Sequence, residues 1–190
     1  MTASEKIQLH ESVWVAPGAQ LYGHVEAAEG ASIWPNAVIR SECQYVRIGR
    51  MSNIQDFVMI HVGYDYPSEI GEFVSITHHA TVHGAVIEDH CLIGINATLM
   101  DGCVIGRGSI VAPGCVVREG TVVPPHSIVA GVPGKVIKER DSARDNRWNA
   151  WNYYRNAAAY RDGNHRAWHG DDYRAFGIDI KKKIAEDRDL

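Results

Sequence analysis

Residues 87–111 read Ile87-Glu88-Asp89-His90-Cys91-Leu92-Ile93-Gly94-Ile95-Asn96-Ala97-Thr98-Leu99-Met100-Asp101-Gly102-Cys103-Val104-Ile105-Gly106-Arg107-Gly108-Ser109-Ile110-Val111. Ile87, Ile93, Leu99, Ile105 and Val111 recur every six residues. Four places after each of the first four stands a small side chain: Cys91, Ala97, Cys103 and Ser109. An amphipathic helix would space its apolar residues by about 3.6 and a half-buried strand by 2. A period of six fits neither as one element. It fits very short strands joined by tight turns and wound into a triangular solenoid. In that arrangement the aliphatic residue points inward, the small one packs at the corner and glycine supplies unusual turn torsions.

The pattern extends in both directions. Upstream lie Val15, Leu21, Ala27, Ile33 and Ile39. After three inserted residues come Ile48, Ile54 and Ile60, and after a loop through Tyr64, Asp65, Tyr66 and Pro67 come Ile70, Ile76 and Val82. Downstream lie Val117, Val123 and Val129. Eighteen of these nineteen positions are Val, Ile or Leu, with Ala27 the exception, so the repeat governs residues 15–134. Three hexads make one coil, and nineteen predict about six coils. Stacked at ~4.8 Å, they form a prism on the order of 30 Å long. The fold expected is an all-β solenoid, a parallel β-helix, over residues 1–140, with a C-terminal α-helical extension over 141–190.

The chain has 190 residues, 45% of them hydrophobic, and a formal net charge of −4. These values suit one compact domain with an appendage. No apolar stretch approaches the ~18 residues of a membrane span. The mild acidity gives no electrostatic reason to bind nucleic acid. Cys43, Cys91, Cys103 and Cys115 all fall in the small-residue slot and are read as buried structural thiols. No C-x-x-C pair occurs, so neither a cysteine zinc site nor a redox motif is indicated. Met1 to His10 holds no apolar run after a basic patch. With free thiols and no secretory signal, a cytoplasmic setting is expected.

The period converts sequence position into spatial position. His61 follows Ile60 and His83 follows Val82, so both take the same slot on one face, a coil apart. His78 comes two places after Ile76, on the neighbouring face. It can join the other two only if one face of a prism packs against the adjacent face of a second prism. A closed three-fold homotrimer provides that contact. Three histidines suit a catalytic zinc site with water in the fourth position. Imidazole also suits iron or cobalt. Arg40 lies one coil below His61, Asp56 directly below His78, and Gln55 and Asn53 flank Ile54 on the face of His78. A chance alignment of three among ten scattered histidines is weakened by this convergence of polar groups. His79 is read as a turn or packing residue, and His24, His90 and His126 as solvent-facing turn residues.

Four segments carry a specific resemblance: Val38-Ile39-Arg40-Ser41-Glu42, Arg47 through Asp56, Ile60-His61, and Ile76 through Gly84. Over roughly residues 12–140 the chain resembles gamma-class carbonic anhydrases of the hexapeptide-repeat superfamily. The resemblance implies a left-handed helix, where parallel crossovers alone would predict a right-handed one. It implies zinc held by His61 and His83 of one subunit and His78 of its neighbour. It implies attack of zinc-bound hydroxide on carbon dioxide, with bicarbonate displaced by water. Gln55 would orient the hydroxide with help from Asn53. Arg40 and Asp56 would form interface ion pairs that also position bicarbonate. Glu42 stands where the family usually has aspartate, and His79 where it often has glycine. Some members of the family have a long acidic loop; the connection here, Val62–Glu69, is short, leaving Asp65 and Glu69 as candidate proton carriers.

Ala130-Gly131-Val132-Pro133-Gly134-Lys135 resembles the closing turn of hexapeptide-repeat enzymes. Asp141 or Ser142 then caps a helix, with Trp148, Trp151, Tyr154 and Ala158 as its packing stripe and Gly163 at its end. Tyr153 is a candidate to approach the metal site, as a tyrosine does in the family's terminal helix. Residues 163–190 carry Trp168, Tyr173 and Phe176 and are expected to dock, with a neighbouring subunit one site for it. The last few residues are expected to be disordered. Two further functions fit the same scaffold: acyl transfer or acyl-CoA thioester hydrolysis, and a catalytically weak assembly subunit.

Overall fold

The computed structural model describes residues 6–187. The expectations for the outermost N-terminal residues and for the last three fall outside them. Strands of two or three residues alternate with tight turns, and nearly all pairing is parallel. Three stacks of strands result. One carries Val15, Ile33, Ile54, Ile76, Ile93, Val111 and Val129 in register. A second carries Leu21, Ile39, Ile60, Val82, Leu99 and Val117. The third carries Leu9, Ala27, Ile48, Ile70, Ile87, Ile105 and Val123. The aliphatic series forms a single continuous core, and most of its members are fully buried.

The molecule is thus a parallel β-solenoid of about seven turns. The six expected from the repeat falls short because strand Lys6–Leu9, which precedes the first hexad, pairs beneath Ala27. The three inserted residues also have a visible effect. Strand Val38–Ile48 runs straight through a corner, pairing with Met59–His61 at its start and Ser68–Ile70 at its end. That excursion carries Cys43 out of the core. Cys43 is exposed, whereas Cys91, Cys103 and Cys115 are buried as expected.

Backbone crowding fixes the turn residues. A Cβ on Gly94 would stand 2.6 Å from the nitrogen of Pro113 and 2.7 Å from the carbonyl oxygen of Val111, so only glycine lets the coils close there. Asn36, Phe57, His79 and Asn96 have φ near +60°, one above another at one corner. Asparagine and histidine tolerate that region better than most residues.

Strand Lys135–Glu139 turns back antiparallel on Ser127–Ala130 and closes the last coil. Helix α1 (Ala143–Arg161) then lies across the strands that carry Val15, Ile33, Ile54 and Ile76. Ser142 makes no side-chain cap; Asp141 accepts from the Ala143 amide at 2.9 Å instead. The buried stripe is Ala143, Asn146, Ala150, Tyr153 and Ala157, not the expected Trp148–Trp151–Tyr154–Ala158. Small side chains let the helix approach the sheet, and Trp148 turns outward to stack on Phe176 at 6.2 Å. Phe176 belongs to α2 (Asp171–Glu186), which docks on α1 of its own chain through Ile180 and Ile184. Tyr173 donates to Asn152 at 3.0 Å, and Arg147 pairs with Asp187 at 2.8 Å. Among the described residues no helix is long and apolar enough to cross a membrane.

Candidate metal centre

Strand pairing places His83 directly over His61, with Arg40 one coil below. The rings tilt at 55° with centroids 4.9 Å apart. A row of polar contacts runs up this face. Arg40 pairs with Glu42. Glu42 Oε2 lies 2.9 Å from His61 Nε2, His61 Nδ1 lies 3.0 Å from His83 Nε2, and His83 Nδ1 lies 2.6 Å from Asp101 Oδ1. Burial by itself would raise the Glu42 carboxyl. The hydrogen bond from His61 and the nearby Arg40 charge outweigh burial and hold it below the usual carboxylate range.

The row tests whether these residues fit a cation. An ionised carboxylate only accepts hydrogen bonds. Glu42 and Asp101 therefore each take an N–H from the outer nitrogen of their histidine. The inner nitrogens, His61 Nδ1 and His83 Nε2, are left with lone pairs facing each other at 3.0 Å. Only a proton or a metal ion relieves that opposition. Two nitrogens bound at ~2.05 Å to one tetrahedral metal stand about 3.3 Å apart. The pair fits.

His78 belongs to the neighbouring sheet, in the turn after Ser75–Ile76. Its Nδ1 faces Asp56 Oδ2 at 3.1 Å, which leaves Nε2 free by the same reasoning. Among the described residues of one chain, no group of three or more His, Cys, Asp or Glu converges as a ligand set. A single chain therefore brings two of the three expected histidines together, and His78 stands apart from them.

Around His78 the polar residues form a supported group. Gln55 is buried and donates to Asn53 at 2.9 Å. Asn53 donates to the Ser75 hydroxyl at 2.9 Å, and Asn149 of α1 donates to the same hydroxyl at 2.8 Å. A cavity of about 270 Å³ is lined by Gln55, His78, Asn149, Tyr153 and Trp168, among others. Tyr153 sits edge-on to Trp34 and Trp168, and burial together with the Asp56 charge pushes its hydroxyl up to about 12. It remains a neutral phenol and a hydrogen-bond donor at ordinary pH.

Other residues depart from expectation. Glu69 is taken by Tyr45 at 2.5 Å and Arg47 at 3.3 Å, on a different face from His61. Asp65 is exposed in the loop. His79, by contrast, is the turn and packing residue expected, stacked flat on Phe57 at 4.9 Å. His24 lies within strand Gln20–Ala27 and contacts Glu26 at 2.8 Å. His90 is buried, stacked on Phe73 beneath α1, because its corner is the one the helix covers. Asp101, Asn149 and Ser75 were not anticipated. Asp101 had a signal, since it follows Leu99 by two, as His78 follows Ile76 and Asp56 follows Ile54.

The family model described as bacterial transferase hexapeptide (six repeats) matches residues 84–119. A probable carbonic anhydrase of Methanocaldococcus jannaschii is 53% identical over 131 residues, covering 69% of this chain and 82% of that protein. Mitochondrial gamma carbonic anhydrase 2 of Arabidopsis thaliana is 36% identical over 96 residues, 47% of this chain; the match spans only 34% of the plant protein. A solved structure of a suggested acetyltransferase from Bacillus cereus superposes with a TM-score of 0.80 at 30% identity, covering 83% of this chain and 93% of that one. With a repeat solenoid, a facing histidine pair and a relative sharing half its residues over most of its length, the chain belongs to the gamma-class carbonic anhydrase-like family of hexapeptide-repeat proteins.

Proposed function

We propose that the protein is an enzyme of the carbonic anhydrase lyase type that reversibly hydrates carbon dioxide. It works as a homotrimer with a divalent metal, zinc in first place, at each interface. His61 and His83 of one chain and His78 of the partner subunit would hold the metal. The observation that carries this reading is the 3.0 Å gap between two imidazole nitrogens whose outer nitrogens are both occupied by carboxylates. What the metal contributes when bound is a water acidified to near neutrality.

The remaining roles fall to the chain's own side chains. Gln55, clamped by Asn53, would orient the attacking oxygen. Arg40, paired with Glu42, would attract the bicarbonate anion, and Asp56 would hold His78 in position. The Tyr153 phenol would donate to a substrate oxygen from the wall of the cavity. We place the division of labour at 140/141: the prism carries the ligands, and α1 braces Gln55 through Asn149 and presents Tyr153.

A second reading is favoured by the likeness to the suggested acetyltransferase: the same centre acts on an acyl thioester. Stopped-flow carbon dioxide hydration by the metal-loaded protein, beside hydrolysis of an acyl-CoA panel, decides. The first reading predicts hydration that is lost in His83→Ala. Thioester turnover without hydration supports the second. Bound metal without either turnover contradicts both and leaves an assembly role.

A further inference from the structure

We infer that Asp101 is a positioning residue of this centre, seated by a notch of glycines so that it fixes His83 with its Nε2 lone pair toward His61. The inference rests on the metal-binding reading above and goes beyond it to a residue that the ligand pattern does not include. The contact from His83 Nδ1 to Asp101 Oδ1, at 2.6 Å, is the tightest in the row between Glu42 and Asp101. The corresponding carboxylate contact on His78 is looser, at 3.1 Å.

The notch explains that tightness. A Cβ on Gly63 would stand 2.6 Å from Asp101 Oδ1 and 2.9 Å from its carboxyl carbon. A Cβ on Gly84 would collide with the same Oδ1. Both positions are therefore glycine where the carboxylate sits. Three successive coils meet there and are tied together: the Gly84 amide donates to His61 O at 3.2 Å, and the Gly102 amide to Gly84 O at 2.7 Å. The loop closes on itself through the Gly63 amide and Tyr66 O at 2.9 Å. Tyr66 then lies against Gly84 and Gly102, where any Cβ would be within 3.0 Å of it. The carboxylate has little room to move, and the imidazole it holds is aimed accordingly. Asp101 contacts the outer nitrogen of the ring, so it acts through His83.

The role is separable from bulk packing. Gly63 does not have left-handed torsions, so an alanine there keeps its backbone and only pushes the carboxylate aside. The test is titration of the metal-free protein with Zn²⁺ against a competing chelator, for wild type, Asp101→Ala, Asp101→Asn and Gly63→Ala. Imidazole ¹⁵N spectra of the same metal-free proteins report which nitrogen of His83 carries hydrogen. Losing an outer-shell partner of a ligating histidine typically costs about 10–100-fold in metal affinity. Asp101→Ala and Gly63→Ala are expected to weaken Zn²⁺ by that order, and His83 Nδ1 loses its hydrogen. Asp101→Asn, whose amide oxygen still accepts from Nδ1, falls between and keeps the wild-type tautomer. It also preserves volume, so it carries the test if the alanine variant does not fold. Wild-type Zn²⁺ affinity in Asp101→Ala and Gly63→Ala, or a wild-type His83 spectrum in those two alanine variants, overturns the proposal while leaving the metal centre standing. Failure of the wild type itself to bind Zn²⁺ overturns both.

Discussion

His90 shows how one side chain can set the acid limit of the fold. It is 4% exposed, lies against Phe73 and has an Nδ1 with no hydrogen-bond partner among the described residues. Burial first, then the charges of Arg107 and Arg147, lower its pKa from 6.5 to about 4. The folded chain thus holds His90 neutral where the unfolded chain would protonate it. Stability from this group is full above pH 6.5 and is lost as pH falls toward 4, by roughly 3 kcal/mol at most. Denaturant unfolding between pH 7 and 4 should show that loss, and His90→Asn should flatten it, since asparagine tolerates the local φ of +58°. An equally steep decline in the variant would place the acid sensitivity elsewhere. At this scale the hexad count carries across the insertions, because the strands return to register after each one. Arg40, His61 and His83 could be aligned by counting. Asp101 also keeps the count, since Leu99 pairs with Val82, but counting gives its place and not its contact with His83. His90 was misjudged because counting gives a corner position but not the helix that covers it.

Among elements, α1 governs how well the site is braced. Ala150 is fully buried against the sheet in a small cluster with Met51 and Phe73. Ala150→Leu adds volume where none is free, and overpacking of this kind costs about 1–3 kcal/mol. Thermal unfolding should show a destabilised variant; unchanged unfolding would mean the helix is not seated as described. Asn149→Ala removes the donor to Ser75, which also receives Asn53. That variant should keep its metal content and lose about tenfold in turnover, because Gln55 is less firmly held. Equal loss of metal would show that the bracing reaches the ligands instead. The helix itself was legible from its cap and terminating glycine. Its face was not, because regularly spaced aromatics resemble a packing stripe. The seated residues are mostly alanines, which allow close approach, while Trp148 serves the contact with α2.

For the whole molecule, the period of six dictated the prism because any other winding would expose the aliphatic series. Insertions at Val38–Ile48 and the loop before Ser68 changed local shape without breaking the stack. A single chain does not bring the three proposed ligands together: His78 lies on one sheet, and His61 and His83 on the other. Assembly completes the centre in this account, so its clearest test is subunit exchange. His78→Ala and His83→Ala are each purified metal-free, then mixed in equal amounts, exchanged and titrated with Zn²⁺. Each variant alone should fail to bind tightly. In the mixture, an interface is whole only when a His78→Ala chain offers its His61–His83 pair to the His78 of a His83→Ala chain. Random closed trimers should therefore recover about one site in four. Recovery near that fraction is the predicted result; a fully exchanged mixture that binds no more Zn²⁺ than its two components would contradict the account.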